Sequence, residues 1–483
     1  MVRFGLCFGL LASLQAPLIA AQAANSTAIK QACDDIDAQF SDASDVLTFR
    51  GIRFYQAIDH WMESSDQTPR CVVQPASVQD LSTAMRIIGE RRVPFAVMSG
   101  GHTSNPGFSS TTGVHISLAK LNEVSLSQDG SIARVGFGNK WLDVYKKLEG
   151  TGRNVVGGRV PGPGVGGFTL GGGYSWKTNS YGLTIDTIKT FTLVCPNGTI
   201  ATVDQSRPDL FFALRGGLNR FGVVADAELY THSQVSLIYG GTRLYDSTQV
   251  DKIVNATYEF ERTNTDPKAT VITSILGTTA TTQFFYDGPE KPASFAVFDG
   301  IRTLLLDTVK TQSFSDFVAS IPAEIRDVSN FRGTWETFST TKTTLRFLQG
   351  VQAEAKRLSK LLRAPTGINL AVDAYIPGMY GQHAAADTSY PHSESQLPVL
   401  LDVAWAFSAD DEFWRRQVRQ SRDALVEIAQ DEGILHPISY SNYAQGTTPA
   451  QELYGSTNAA RLASIRNEVD PQRIMDLTGG YVI

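Results

Sequence analysis

Residues 157–173 read GGRVPGPGVGGFTLGGG, nine glycines in seventeen positions. Average usage would supply roughly one. Each ordered glycine costs backbone entropy, so this density demands a purpose. Two purposes compete: a flexible linker, or a backbone pressed against a large flat ligand. Linkers are padded with serine and charge. Here Val160, Val165, Phe168 and Leu170 are interleaved with the glycines, and Val155 and Val156 precede them. Such side chains seek burial, so the stretch is read as an ordered ligand wall.

The sequence on either side has to supply the ligand. Upstream, Arg70–Gln74 is a short strand. Ser77 caps a helix whose apolar residues Val78, Leu81, Met85 and Ile88 keep helical spacing. Arg92–Met98 is a second strand, ending in Ser99-Gly100-Gly101-His102. Open α/β sheets bind ligands at such carboxyl ends. Gly113–Leu118, the alternating Ile132–Phe137 strand and a helix from Lys140 to Leu148 lead into the glycines. Beyond them, Thr187–Val194 and Thr199–Val203 flank Pro196-Asn197-Gly198, a hairpin signal. A short helix, Pro208–Arg215, stops at Gly216-Gly217, and a strand, Gly222–Tyr230, closes this half.

The character then changes. Glycine thins, and amphipathic helices at about 248–263, 345–363 and 410–431 alternate with strands such as Val271–Leu276 and Thr282–Tyr286. Residues 238–438 read as a separate α+β domain. The stretch from Tyr440 onward carries a helix near 457–468 and a Gly479-Gly480 strand. At the other end, a helix over 26–45 and a polar arm precede Pro69.

With 483 residues the chain exceeds one ordinary core. Its 42% hydrophobic and 10% aromatic content is that of a globular protein. A net charge of -6 leaves no basic footprint for nucleic acid. Residues 1–23 combine an early Arg3, a short apolar run broken by Gln15 and Pro17, and Ala21-Gln22-Ala23. This is the pattern of a cleaved signal peptide, so a secreted, extracellular protein is expected. No later run of 18 apolar residues suggests a membrane anchor. Sequons at Asn25, Asn197 and Asn255 fit that route as glycosylation sites. The mature chain keeps Cys33, Cys71 and Cys195. Cys33 and Cys71 are the expected disulfide, tying the N-terminal helix to the first strand, with Cys195 a buried strand residue.

The formula G-x-G-x-x-G is met at Gly162, Gly164 and Gly167, but Pro163 lies inside it and no helical pattern follows. It is discounted as a nicotinamide signature. There is no Walker A, G-x-S-x-G, C-x-x-C or H-E-x-x-H sequence, so no metal site is expected. His102, in PFAVMSGGHTSN, is different. Ser99, Thr103 and the free amides of the glycines form a nest suited to phosphate oxygens, with an imidazole beside it.

Four blocks now carry a resemblance: PFAVMSGGHTSN, VVGGRVPGPGVGGFTLGGGYSWKTNSYG, PDLFFALRGGLNRFGVV and YSNYAQG…LYGSTNAARLASIRNEVDP. Long, correctly ordered and spread over nearly all the mature chain, they resemble the berberine bridge enzyme-like branch of the vanillyl-alcohol-oxidase/PCMH-type FAD-linked oxidases. The resemblance implies an α+β, two-domain fold. Residues 24–66 would be an N-terminal helix and arm, and 67–237 a PCMH-type FAD-binding domain of two α/β subdomains. A substrate domain with an antiparallel sheet covered by helices would span 238–438, and 439–483 would return to the FAD domain.

It also implies site residues. Ala96–Thr103 would wrap the FAD pyrophosphate through Val97, Ser99, Gly100, Gly101 and Thr103, with His102 bonded covalently to the flavin 8α carbon. Gly164, Val165, Gly166, Gly167, Gly171, Gly172 and Gly173 would lie along the cofactor, and Gly222 and Val223 beside its adenine. Tyr440, Asn442 and Tyr443 would return to the flavin's reactive edge. Many relatives add a second linkage from a cysteine at the position of Val160, so a single attachment is expected here. Pro163 falls where relatives control oxygen access.

The chemistry implied is transfer of a hydride from a small alcohol, sugar or secondary metabolite to covalent FAD, with O2 as acceptor and H2O2 as product. The alternatives are a dehydrogenase with a non-oxygen acceptor and a flavin-bearing protein without turnover. Tyr440 and Tyr443 are the base candidates. Their ordinary pKa, about 10, makes them poor bases at neutral pH unless a nearby cation lowers it. The partners expected are a small-molecule substrate and O2, with no nucleic acid or membrane, for a chain acting as a monomer.

Overall fold

The computed structural model describes residues 26–304, 306–321, 331–361, 363 and 367–483. The expected signal peptide and Asn25 lie outside them. Three sheets organise the chain. The first joins β1 (Asp45–Leu47), β2 (Cys71–Gln74), β3 (Phe95–Met98) and β4 (Val114–Ser117) in the order β1-β2-β4-β3. β2 and β3 flank β4 in parallel, and β1 adds antiparallel to β2. Parallel neighbours need a crossover, and the helix Val78–Arg91 supplies it. Ser77 caps that helix, its hydroxyl accepting from the Asp80 N–H at 3.1 Å, and Leu81, Ala84, Met85 and Ile88 are buried.

The N-terminal helix runs Ser26–Gln39, shorter than the reading of 26–45. Just past it, the hydroxyls of Ser41 and Ser44 both donate to the Asp80 carboxylate, which turns the chain away. Cys33 of this helix is bonded to Cys71 of β2, as expected. Cys195 is a half-buried free thiol one residue past its strand, not within it. With the bonded cysteines 38 positions apart, chain-entropy reasoning gives the bridge about 4 kcal/mol. The Cys33→Ser/Cys71→Ser variant should lose most of that in urea unfolding, with its m-value as the check on two-state behaviour.

The second sheet is antiparallel, in the order β5-β6-β10-β8-β9. It holds β5 (Val124–Leu126), β6 (Ile132–Gly136), β8 (Ile188–Val194), β9 (Ile200–Val203) and β10 (Val223–Tyr230). β8 and β9 form the expected hairpin, with Gly198 at φ 85° in its turn. A two-residue ribbon, β7 (Arg153–Asn154) with β11 (His232–Ser233), lies beside it.

The third sheet has eight antiparallel strands, in the order β15-β12-β14-β13-β17-β18-β16-β19. They are β12 (Ile238–Tyr245), β13 (Ala269–Leu276), β14 (Thr279–Tyr286), β15 (Lys310–Gln312), β16 (Arg332–Thr340), β17 (Gly367–Ala374), β18 (Leu397–Trp405) and β19 (Leu435–His436). Side chains alternate across a strand. One face, with Val271, Leu370, Val372, Leu401 and Val403, packs on the helices Val250–Thr263, Leu345–Leu358 and Asp411–Asp431. The other face looks toward the first two sheets across a cavity. The architecture is thus α+β, with the antiparallel third sheet covered by helices on one face. No helix among the described residues is long and apolar enough to cross a membrane.

Two local expectations are corrected. A six-residue helix, Val165–Leu170, begins inside the G-x-G-x-x-G sequence, and the chain leaves it where Gly172 takes φ 127°. Gly479-Gly480 is not a strand: the Arg220 guanidinium bonds the carbonyls of Met475, Thr478 and Tyr481, leaving no ladder to form. The helix expected near 457–468 runs Ala450–Val469, broken by Gly455 at φ 72°.

Candidate active site

The turn after β3 and the glycine stretch touch backbone to backbone. A Cβ on Gly100 would sit 2.3 Å from the Gly164 nitrogen, and one on Gly164 would sit 2.1 Å from the Gly100 nitrogen. Ser99 ties the two segments, its hydroxyl donating to the Phe137 carbonyl at 2.5 Å and accepting from the Gly166 N–H at 3.1 Å. Gly101, at φ 66°, then swings the chain so that its carbonyl accepts from the Trp61 N–H at 2.9 Å. The next residue, His102, stacks on the Trp61 indole at 4.7 Å and leans on Trp335 at 5.6 Å.

These segments bound a cavity of about 340 Å³, a size within the range of about 300–1,000 Å³ of small-molecule sites. Val97, Ser99, Gly100, Gly101, His102 and Thr103 are on its wall. So are Gly164, Gly166 and Gly167, together with Gly222, Val223, Tyr440, Asn442 and Tyr443. Four expected residues are not. Val165 is buried in the core. Gly171, Gly172 and Gly173 face protein: their Cβ positions fall 2.1 Å from Asn442 Oδ1, 3.3 Å from the Tyr440 ring and 2.4 Å from Thr184 Oγ1. Gly171 and Gly172 make room for residues returning from the C-terminus and Gly173 for Thr184, and none of the three is on the cavity wall. Val160 and Pro163 do line it.

The third sheet closes the cavity with a polar patch its register makes explicit. Gln283 of β14 pairs with Ile272, which pairs with Asp373 of β17. Four residues back along β17, on the same face, Asn369 pairs with Asp402 of β18, which pairs with Trp335 of β16. All six line the cavity. Burial pushes the Asp402 carboxyl up to about 7.

Arg159, from the glycine stretch, joins this patch to the C-terminal segment. Its Nη1 donates to Asp373 Oδ2 at 2.5 Å and to the Tyr375 hydroxyl at 3.0 Å. Its Nη2 donates to the Tyr443 hydroxyl at 2.5 Å. Asp373 holds Arg159 firmly cationic against the cost of burial. Burial pushes the Tyr443 hydroxyl well above its ordinary value, and Arg159 pulls it only part of the way back. The Tyr440 hydroxyl, likewise raised by burial, accepts from Asn442 Nδ2 at 2.9 Å and from the Gly173 N–H at 3.1 Å.

Sequence reasoning missed Arg159, Asp373, Trp61, Trp335, Asn369 and Asp402. A signal for two of them existed. In Gly367-Ile-Asn-Leu-Ala-Val-Asp-Ala374 the polar Asn369 and Asp373 share one face with the small Ala371, against apolar Ile368, Leu370 and Val372 on the other. That is the pattern of a strand with one face on the core and one on something wet.

The FAD binding domain family matches residues 69–204. Over 450 residues the chain is 30% identical to the FAD-dependent monooxygenase tpcD of Cochliobolus heterostrophus, covering 86% of this chain and 85% of that protein. Among solved structures, Physcomitrella patens BBE-like 1 aligns with a TM-score of 0.77 at 16% identity, over 92% of this chain and 97% of that one. Glucooligosaccharide oxidase from Acremonium strictum, whose FAD is 6-S-cysteinyl and 8α-N1-histidyl, aligns with a TM-score of 0.75 at 19% identity, over 94% and 98% of the two chains. At these identities the two structures speak to fold.

Proposed function

The chain belongs to the berberine bridge enzyme-like, vanillyl-alcohol-oxidase/PCMH-type FAD-linked oxidoreductases, and from that premise we propose that it is a secreted oxidase whose FAD is attached by a single bond to His102. Its substrate is a small alcohol, sugar or secondary metabolite, and O2 takes the electrons to give H2O2.

The residues present suit FAD. The mutual approach of Gly100 and Gly164, where no Cβ fits, leaves backbone amides free to face a ligand, and Gly167 has open space where its Cβ would be. Val97, Leu118, Phe137, Gly222 and Val223 give an apolar wall fit for aromatic rings, while Ser99 to Thr103 give the polar turn fit for phosphates. FAD supplies a two-electron acceptor when bound. This chain's part is to hold the substrate under the polar patch of the third sheet, exclude water, and take a proton from the substrate O–H or N–H at a tyrosine oxygen, Tyr440 or Tyr443.

His102 is the attachment point because it is the sole histidine on the cavity wall among the described residues, and its ring is held between two indoles. Single attachment follows from Val160, whose side chain offers no sulfur where a cysteinyl link would form. Secretion is supported by the Cys33–Cys71 bridge, which belongs in an oxidising compartment, and by exposed sequon residues Asn197 and Asn255. In such a compartment free FAD is scarce, and a covalent bond removes the loss that mass action would impose.

The observation that carries the reading is His102 lying on the same wall as the Arg159–Tyr443 pair. The second reading comes from the name of the relative at 30% identity: a monooxygenase, in which part of the O2 enters the product. One experiment separates the outcomes. The holoenzyme is photoreduced without air, then mixed with aerated buffer, with and without candidate alcohols, sugars and aromatics. An oxidase recovers its yellow colour within seconds and releases one peroxide per flavin. Recovery over minutes rather than seconds identifies a dehydrogenase, and a peroxide shortfall seen only with one compound identifies a monooxygenase.

A further inference from the structure

We propose that Arg159 is a positioning residue that readies Tyr443, and not Tyr440, as the base of this site. The inference rests on the oxidoreductase reading above and goes past it by choosing between the two tyrosines and naming what prepares the chosen one.

The choice follows from donor chemistry. A guanidinium donates and never accepts. With Arg159 Nη2 at 2.5 Å, the Tyr443 oxygen is already an acceptor, and its own hydrogen cannot point at Arg159. Tyr443 lines the cavity, so that hydrogen, or the lone pair left by its loss, faces the substrate space. Tyr440 is also an acceptor twice over, but from the uncharged N–H groups of Gly173 and Asn442. The positive charge carried by the Arg159 donor adds a Coulomb attraction for an anion that the neutral donors to Tyr440 lack, and this favours the phenolate form at Tyr443.

The other groups facing Tyr443 can be weighed. From β17, Asp373 opposes the phenolate, but it sits across Arg159, with its Oδ2 on Nη1. Tyr375, also from β17, donates its hydroxyl to the Ser175 carbonyl at 3.0 Å and stays neutral. Trp335 from β16 stands edge-on at 5.8 Å, and Tyr440 edge-on at 4.9 Å. Arg159 is therefore the closest charge, and Asp373 chiefly keeps it in place. Burial works against the phenolate, which is why the cation is needed.

The step balances simply. The substrate O–H bond breaks and its proton goes to the Tyr443 oxygen. The hydrogen on the adjacent carbon leaves with its electron pair to FAD, which is reduced, and the carbon–oxygen bond becomes a carbonyl.

The test needs no substrate. Holoenzyme is produced with 3-fluorotyrosine, and 19F NMR follows ring ionisation with pH, the Tyr443 and Tyr440 signals being identified by their loss in Tyr443→Phe and Tyr440→Phe. Tyr443 should ionise at lower pH than Tyr440. Arg159→Gln should move the Tyr443 midpoint up by on the order of one to two pH units, and Arg159→Lys should recover part of that. Because Arg159→Gln strands a buried carboxylate, Arg159→Gln/Asp373→Asn is the companion that removes both charges. It should also raise the Tyr443 midpoint. The proposal is overturned if Tyr440 ionises first, if the Tyr443 midpoint ignores Arg159, or if the double variant lowers it. A failed peroxide test with these shifts intact would instead overturn only the choice of oxygen as acceptor.

Discussion

His102→Ala is expected to abolish covalent flavin attachment: after acid precipitation the chromophore passes wholly into the supernatant, whereas wild type keeps it on the chain. No substitute nucleophile of either known kind is at hand. Among the described residues His102 is the one histidine on the cavity wall, and no cysteine lines it. The cavity itself should survive. Trp61 and Trp335 already touch each other at 5.3 Å, so they close over the lost ring, and the Gly101–Trp61 backbone bond is untouched. The variant should therefore still bind FAD reversibly, which gives a second readout. Its thermal midpoint should climb with added FAD, by the equivalent of about 2.7 kcal/mol at a hundredfold excess over Kd, while wild type does not respond. Flavin that stays on the precipitated variant would overturn the assignment.

The same result bears on Val160. If the wild-type link is single, His102→Ala leaves nothing bound; a second, unrecognised bond would leave all of it bound. The experiment thus reads two positions at once, and it depends on neither substrate nor acceptor.

What the sequence disclosed, and what it withheld, divides along range. Signals that act over a few residues were legible. Ser77 announced its helix because a hydroxyl three residues before an N–H caps it, and Pro196-Asn197-Gly198 announced its hairpin because Gly198 takes a φ that only glycine adopts cheaply. The Cys33–Cys71 pair was legible because Cys195 ends an apolar run just before a Pro-Asn-Gly turn, which left the other two cysteines to pair. By contrast, Asp373 on the third sheet and Tyr443 on the C-terminal segment lie 214 and 284 positions from Arg159 and meet it only in the folded chain. An arginine amid glycines reads as solvent-facing, and nothing local says it will be buried against a carboxylate. The glycine stretch itself was half legible. Glycine density reports that backbone must come close to something, but not to what. For Gly164 the neighbour is the Gly100 turn, and for Gly171 to Gly173 it is the returning Asn442 and Tyr440 and the nearby Thr184. The end of the chain failed for a related reason: Arg220 lies far upstream, and its claim on three carbonyls cannot be seen from Gly479-Gly480.

That division yields the second large effect, because two glycines three positions apart should respond in opposite ways. Gly164→Ala puts a methyl 2.1 Å from the Gly100 nitrogen, 2.4 Å from Ser99 Oγ and 2.7 Å from the Gly100 Cα. Backbone atoms cannot rotate out of the way, and the glycine stretch cannot retreat. On its other side the Trp141 N–H bonds the Pro163 carbonyl at 3.1 Å, and the Val165 N–H bonds the Asn139 carbonyl at 3.0 Å. The two segments must part, which costs Ser99 its bonds to Phe137 and Gly166. A loss on the order of 3–5 kcal/mol in urea unfolding is expected, with little flavin incorporated. Gly167→Ala has no such neighbour: nothing lies within 4 Å of its added methyl, and alanine suits a helix better than glycine by about 0.5–1 kcal/mol. Apoprotein stability should hold or rise slightly. Yet Gly167 lies on the cavity wall, so the methyl enters the space assigned to FAD, and flavin content should fall by severalfold in a chain that folds normally. Equal flavin content in Gly167→Ala and wild type would mean that the cofactor does not lie against this part of the glycine wall. Loss of flavin without loss of stability is the result that a purely structural role for the stretch cannot produce.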